Sequence, residues 1–277
     1  MSERELEFNV PESIFNSQID LIEGEIEAIT GFDKEIRTHT LPIWFESLAG
    51  IDWTLLHFSP VYFGFGVPKG DGSAVIVVPG FLGSDVYLYE LYLWLKRIGY
   101  TPYLSNIGWN ADCLNTLAEK LIGTIERAFE ETGRPVHLIG HSLGGVLSRS
   151  AVVQNTEMIE SVITLGSPFR GVRSHPGVVE LSEKIRRRIF NKTDKTEYPH
   201  CYTGHCDCLA VTSLHNGMPR NVKQTAIFTK SDGIVDWQSC VSRYDENNYE
   251  VTGTHIGLVY NYHVYKLIAE RLAPEDS

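Results

Sequence analysis

"RPVHLIGHSLGGVLSRSAVV", Arg134 to Val153, decides the fold. Its first part, "PVHLIG", is a short apolar run, the pattern of a strand buried on both faces. Its last part, "GGVLSRSAVVQN" when read on to Asn155, has the spacing of a helix. Between them Gly140, Ser142 and Gly144 form Gly-x-Ser-x-Gly. A serine there is either an incidental loop hydroxyl or an attacking group. The strand-to-helix turn must be sharp, so side chains at the flanking positions collide with neighbouring backbone. Such a turn exposes the Ser142 hydroxyl at the strand's carboxyl end. It also aims the first helical N–H groups, including that of Leu143, toward a developing oxyanion.

Outward from this turn, strands and helices alternate. "SAVIVVPGF" is a strand, "LYELYLWLKRIG" a helix stopped by Gly99, and "YTPYLSNI" a second strand. "NTLAEKLIGTIERAFEETG" is a second helix ending in glycine, and "ESVITLGSP" is the strand after the serine turn. "KQTAIFTKSDG" and "YEVTGTHIG" give two further strands, and "NYHVYKLIAERL" closes the chain as a helix. This alternation predicts an α/β fold, a mainly parallel central sheet with helices on both faces. Ligands of such sheets gather at the carboxyl ends of the strands.

A serine nucleophile needs a base, and the base needs a carboxylate that fixes its tautomer. Of ten histidines, His255 sits where the last strand ends, in "GTHIGL". His263 lies within the terminal helix and is the rival. His137 reads as core, and His141, beside the serine, borders the site. Asp232 follows the fifth strand directly in "FTKSDGIVDW", with Asp236 as its rival four residues on. The order Ser142, Asp232, His255 is one in which this triad is built on α/β sheets. The second oxyanion donor is expected from "VVPGFLGS", where Pro79 and Gly80 turn the chain and present the N–H of Phe81.

The sequence resembles the lipase and esterase branch of the α/β-hydrolase family. "VVPGFLGS" resembles the oxyanion loop, "LIGHSLGG" the nucleophile turn, and "TLGSPFRG" the segment after the next strand. "KSDGIVDW" resembles the acid turn and "GTHIGLVYN" the histidine turn. These stretches cover most of residues 74–270 in family order. The resemblance implies an α/β-hydrolase fold, with catalytic Ser142, Asp232 and His255 and an oxyanion hole of Phe81 and Leu143. It also implies a disulfide tethering the acid turn, between Cys240 and Cys206 or Cys208. The oxyanion loop departs from the family's more usual His-Gly, carrying Pro79-Gly80.

These readings give a single domain over residues 1–277. Residues 1–58 form a helical extension, since "ESIFNSQIDLIEGEIEAI" carries apolar groups at helical spacing. Residues 171–219 form an irregular insertion. Its "HPGVVELSEKIRRRIF" reads equally as an amphipathic lid or as a surface loop with one helix. Phe81, Leu82, Leu143, Phe169 and "VYFGF" (Val61 to Phe65) suggest an apolar acyl or aryl pocket, with His141 at its border.

The bulk properties restrict the partners. A net charge of −11 argues against nucleic acid, which demands clustered Lys and Arg. The basic "KIRRRIFNK" reads as a solvated helix face. No stretch reaches the ~18 apolar residues of a membrane span. "MSERELEFNVPESIF" has no basic region followed by an apolar one, so a cytoplasmic location is the default expectation. A secreted chain without its leader reads the same. Of five cysteines, Cys201, Cys206 and Cys208 crowd together and Cys240 lies downstream. Zinc ligation, one disulfide to Cys240 and thiols all stay open on spacing alone. No His/Asp cluster has convincing metal-ligand spacing, and no cofactor is implied.

The expected activity is hydrolysis of a small-molecule or lipid ester through an acyl-enzyme. Acyl transfer, thioester or amide cleavage by the same triad is the alternative, and a silent binding module on this fold is the third reading.

Overall fold

A computed structural model describes residues 40–171, 173–192 and 206–274. The sheet is built from β1 (Ala74–Val78), β2 (Thr101–Leu104), β3 (Val136–His141), β4 (Ile159–Leu165), β5 (Lys223–Phe228) and β6 (Asn248–Glu250). Their spatial order is β2-β1-β3-β4-β5-β6, and every adjacent pair is parallel. The helices are α1 (Ala49–Phe58), α2 (Tyr89–Ile98), α3 (Leu114–Thr132), α4 (Leu143–Gln154), α5 (Pro176–Phe190), α6 (Leu209–His215) and α7 (Tyr262–Leu272). The alternation read from the sequence is thus realised as a six-stranded parallel sheet with helices on both faces.

Strand periodicity divides the core. All five residues of β1 are buried, which explains why its run is apolar without alternation. Ala74, Ile76 and Val78 face α3, α4 and α6, through Leu117, Leu121, Leu147 and Val211 among others. Val75 and Val77 face the other way, toward Leu91, Trp94 and Leu95 of α2 and Val264, Tyr265 and Ile268 of α7. Each such side chain contributes about 1.5–3 kcal/mol by leaving water. Helices α2 and α3 end at Gly99 and Gly133, both left-handed, as the sequence predicts.

Three expectations need correction or limits. Of the expected extension, residues 1–39 lie outside the described residues. Residues 43–58 form a short 3₁₀ turn and α1, and Leu56 is buried against the α2–α7 side of the sheet. Of the expected insertion 171–219, residues 172 and 193–205 lie outside the described residues. Helix α5 is a peripheral helix with only Arg186 buried, whereas Ala210, Val211 and Leu214 of α6 belong to the main core. The basic residues of α5 pair along its own surface, Lys184 with Glu180 and Arg187 with Glu183, as in a solvated helix face.

The implied disulfide is absent. Cys240 is a buried free thiol. Cys240 is packed with Phe228 and Val235, while Cys206 and Cys208 pack against the separate α3–α4–α6 side of the core. Its Sγ is directed at the Asp236 carbonyl, 3.8 Å away.

Candidate functional site

The turn between β3 and α4 carries Ser142 at φ 53°, ψ −124°, a left-handed backbone that a non-glycine residue adopts only under constraint. The constraint is visible around it. The Ser142 N–H donates to Leu165 O at the end of β4, 2.8 Å away. A β-carbon on Gly144 would fall against the carbonyl oxygens of Val78 and Pro79, and one on Gly140 against the Gly145 backbone. The two glycines therefore let α4 start in contact with β1 and β3, and the price of this closeness is borne by the serine's strained φ. Ser142 is 8% exposed.

Asp232 and His255 come from the turns after β5 and β6. His255 Nδ1 lies 2.7 Å from Asp232 Oδ2. A carboxylate only accepts, so Nδ1 carries the proton and the Nε2 lone pair is left for a hydroxyl. The other oxygen, Oδ1, accepts from Ile234 N at 2.8 Å and Val235 N at 2.6 Å, which fixes the carboxylate plane. Asp232 and His255 are 1% and 2% exposed. Burial disfavours the His255 imidazolium, but the Asp232 charge and hydrogen bond, helped by Glu46, outweigh it. Its pKa is held above the ordinary histidine value.

The ring reaches the serine turn through β4. Gly166, next to the carbonyl that holds Ser142, is so near the imidazole that a β-carbon there would lie 3.1 Å from Nδ1. His141 closes the same space from beneath. Its ring centroid is 4.8 Å from that of His255, and its Nε2 donates to His255 O at 3.0 Å. Burial and the His255 charge push its pKa down to about 3, so it stays neutral.

Opposite lies Pro79–Gly83, the loop expected to supply an oxyanion donor. A β-carbon on Gly80 would lie 3.0 Å from Ser142 Cβ, so the loop rests directly on the serine. Gly83 N closes the turn on Gly80 O at 2.9 Å. Leu82 is left-handed at φ 58° and donates to Asn110 O, while Asn110 N donates to Gly83 O. Asn110 Nδ2 donates to Pro79 O at 2.7 Å. Among the described residues, the amides of Phe81 and Leu143 have no hydrogen-bond partner. These are the two donors expected to hold an oxyanion.

The rivals are placed elsewhere. Asp236 caps the following turn through Gln238 N, 3.0 Å away, and His263 is exposed on α7. His137 is a buried strand residue paired with Ser161. Two pocket expectations are corrected. Phe169 is buried in the core beneath the Arg149 guanidinium, 3.9 Å from its ring, because the chain turns inward after β4. His141 is spent on the His255 carbonyl and is buried, so it braces the site instead of lining a pocket. "VYFGF" is likewise not a wall. Val61 and Tyr62 pack toward α2 and α7, Trp94 Nε1 donates to Val61 O at 2.8 Å, and Phe63 and Phe65 are exposed.

Two residues that the sequence did not flag belong to the site's support, Asn110 and Glu46. The Glu46 carboxylate accepts from Gly233, His255 and Ile256. A cavity of about 390 Å³ lined by Arg170, Arg173, Trp237, Gln238, Ser239 and Val241 contains none of the triad. Among the described residues no group of three His, Cys, Asp or Glu is placed to hold a metal ion.

The fold, six parallel strands packed between helices, is similar to that of solved lipases. Two curated relatives that this chain matches in part are named triacylglycerol lipases. Residues 111–239 match the model of the PGAP1-like alpha/beta domain. A triacylglycerol lipase of Pseudarthrobacter phenanthrenivorans is 33% identical over 106 residues, 35% of this chain and 33% of that protein. One of Burkholderia plantarii is also 33% identical over 106 residues, covering 30% of its own length. The chain thus matches about a third of the length of these curated relatives. Among solved structures, the mature form of a Bacillus licheniformis lipase superposes with a TM-score of 0.51 at 15% identity. It covers 76% of this chain and 95% of its own. Aspergillus fumigatus lipase B gives 0.52 at 15% identity, with 76% and 55% covered. These two similarities show the shared fold.

Proposed function

We propose that this protein is a serine carboxylic-ester hydrolase that acts through Ser142, His255 and Asp232. The observation that carries the reading is the buried His255–Asp232 pair beside a strained serine whose loop presents two unengaged amides. His255 Nε2 takes the Ser142 proton as Oγ adds to the ester carbonyl. The Phe81 and Leu143 amides receive the oxyanion, and His255 then protonates the departing alkoxide. Water, deprotonated by His255, adds to the acyl-enzyme, and the proton returns to Ser142 as the acid leaves.

The substrate is an apolar acyl or aryl ester. Leu82 and Phe81 on the oxyanion loop and the exposed Trp109, next to Asn110, support this. The relatives' names point the same way. No helix among the described residues is long and apolar enough to cross a membrane.

The test is hydrolysis of p-nitrophenyl esters from two to sixteen carbons by the wild type and by Ser142→Ala. The expected result is turnover by the wild type and its loss in a folded Ser142→Ala protein. Equal hydrolysis by both overturns the assignment. The chain-length maximum separates an esterase from a lipase.

A further inference from the structure

Glu46 lies far from both catalytic turns in sequence, in "IWFESL" ahead of the sheet, yet it is buried to 7% exposure against them. Its Oε1 accepts from Gly233 N at 2.9 Å and His255 N at 3.2 Å, and its Oε2 accepts from Ile256 N at 2.8 Å. One carboxylate therefore ties the residue after the catalytic acid to the catalytic histidine and its successor. The same segment donates Leu41 N to Asp232 O at 2.9 Å. Glycines in both turns make room for it. A β-carbon on Gly233 would lie 2.9 Å from Glu46 Oε1, and one on Gly257 would fall against the Asp52 carboxylate. Asp52 in turn accepts from Asn261 Nδ2 at 3.1 Å, on the histidine side alone.

We propose that Glu46 is a positioning residue of the triad, a second buried carboxylate that locks the Asp232 and His255 turns together and stabilises the imidazolium formed during turnover. This rests on the serine-hydrolase reading above. Three N–H donors hold the carboxylate in one orientation against both turns. It reaches the histidine through the backbone of residues 255 and 256, so it orients the ring without competing with Asp232 for Nδ1. Glu46 thus adds to the two things Asp232 supplies to the base, direction and a raised proton affinity.

The groups facing His255 are Asp232 at Nδ1, neutral His141 beneath the ring, and Glu46 on the backbone side. Asp52 packs against the next turn, where burial raises its carboxyl above the usual range. The Cys240 thiol, pushed up by burial, lies on the Asp232 side and stays neutral. Tyr87 packs on His141, its ring centroid 5.5 Å away, and burial pushes its phenol far above neutrality. Of the described groups on the N-terminal segment, Glu46 alone is hydrogen-bonded to both turns.

The experiment measures the rate of Ser142 labelling by a fluorophosphonate, and kcat/KM for a soluble p-nitrophenyl ester, across pH. Wild type, Glu46→Gln, Glu46→Asp and Gly233→Ala are compared. Glu46→Gln removes the charge, so the acid limb should move to lower pH, with labelling slowed about tenfold or more by lost alignment. Glu46→Asp keeps the charge and should restore the limb while leaving the rate below wild type. Gly233→Ala crowds Oε1 and should reproduce the Gln variant in part, which covers a Glu46→Gln protein that does not fold. An unmoved limb and unchanged rates in Glu46→Gln, or in Gly233→Ala if that is the folded variant, overturn the role of Glu46 alone. So does a rate loss matched by lost folded protein with the limb unmoved. A wild type that neither labels at Ser142 nor hydrolyses the ester overturns the hydrolase reading itself, and this proposal with it.

Discussion

Asp232 and His255 meet at 2.7 Å from turns that follow different strands, and both are almost completely buried. The carboxylate's second oxygen is committed to two backbone amides. An isosteric amide at 232 would keep the size of the group. It would also remove the acceptor that holds the proton on Nδ1, so the ring would turn its N–H toward the serine. Asp232→Asn is expected to lower kcat on the order of 10⁴-fold while remaining folded. Circular dichroism together with ester hydrolysis checks this, and a loss under tenfold would remove Asp232 from the triad.

The same pair sets the pH profile. As the proposed base, His255 can accept a proton only when neutral, and its pKa lies above the ordinary 6.5. Activity therefore falls as pH drops through that raised value. The acid limb of kcat/KM should have its midpoint above about 6.5. His141 and His137 are pushed down to about 3 and about 4, both by burial first, so neither adds an inflection between pH 5 and 8. A single-proton limb is expected, and a midpoint below 6 would contradict the charge arrangement described here.

Asn110 holds the Pro79–Gly83 loop by its side chain and its backbone. Truncation to Ala keeps the backbone bonds to Leu82 and Gly83 but strips the donor from Pro79 O, a buried residue. Leaving that carbonyl unpaired costs about 1–3 kcal/mol. The Phe81 amide then loses its fixed direction. Asn110→Ala should lower kcat by about tenfold or more with a smaller change in KM, bounded by the 10²–10³ of losing a whole oxyanion donor. A change in KM alone would show that Asn110 shapes the pocket and not the oxyanion hole.

The parts of this site that were readable from sequence are those with a local steric signature. Gly140, Ser142 and Gly144 are spaced by a turn that admits nothing larger, and Asp232 and His255 each follow a strand. Phe81 was readable because Pro79-Gly80 must turn the chain. Glu46 and Asn110 carry no such mark, since no turn or spacing in "IWFESL" or "WNADC" singles them out. Their partners lie up to 210 residues away in sequence, and only the folded sheet brings them together. Phe169 was misplaced for the converse reason. A Gly-Ser-Pro after a strand suggests a site-facing loop, but the left-handed Gly166 sends the chain back, and the ring is buried.

Cys240 offers a test of how the acid turn is held. A disulfide there would constrain the unfolded chain, and removing it would cost about 2–5 kcal/mol, a difference abolished by reductant. The structure instead gives a buried thiol packed with Phe228 and Val235, and the turn is fixed by amides to Asp232, by Glu46 and by the Asp236 cap. Cys240→Ala removes one small apolar group, for which a loss of about 1 kcal/mol is expected. The shift in unfolding midpoint between wild type and Cys240→Ala should be the same with and without reductant. A shift that vanishes when reductant is added would mean that Cys240 is bonded after all, and that the acid turn owes its position to a covalent tether.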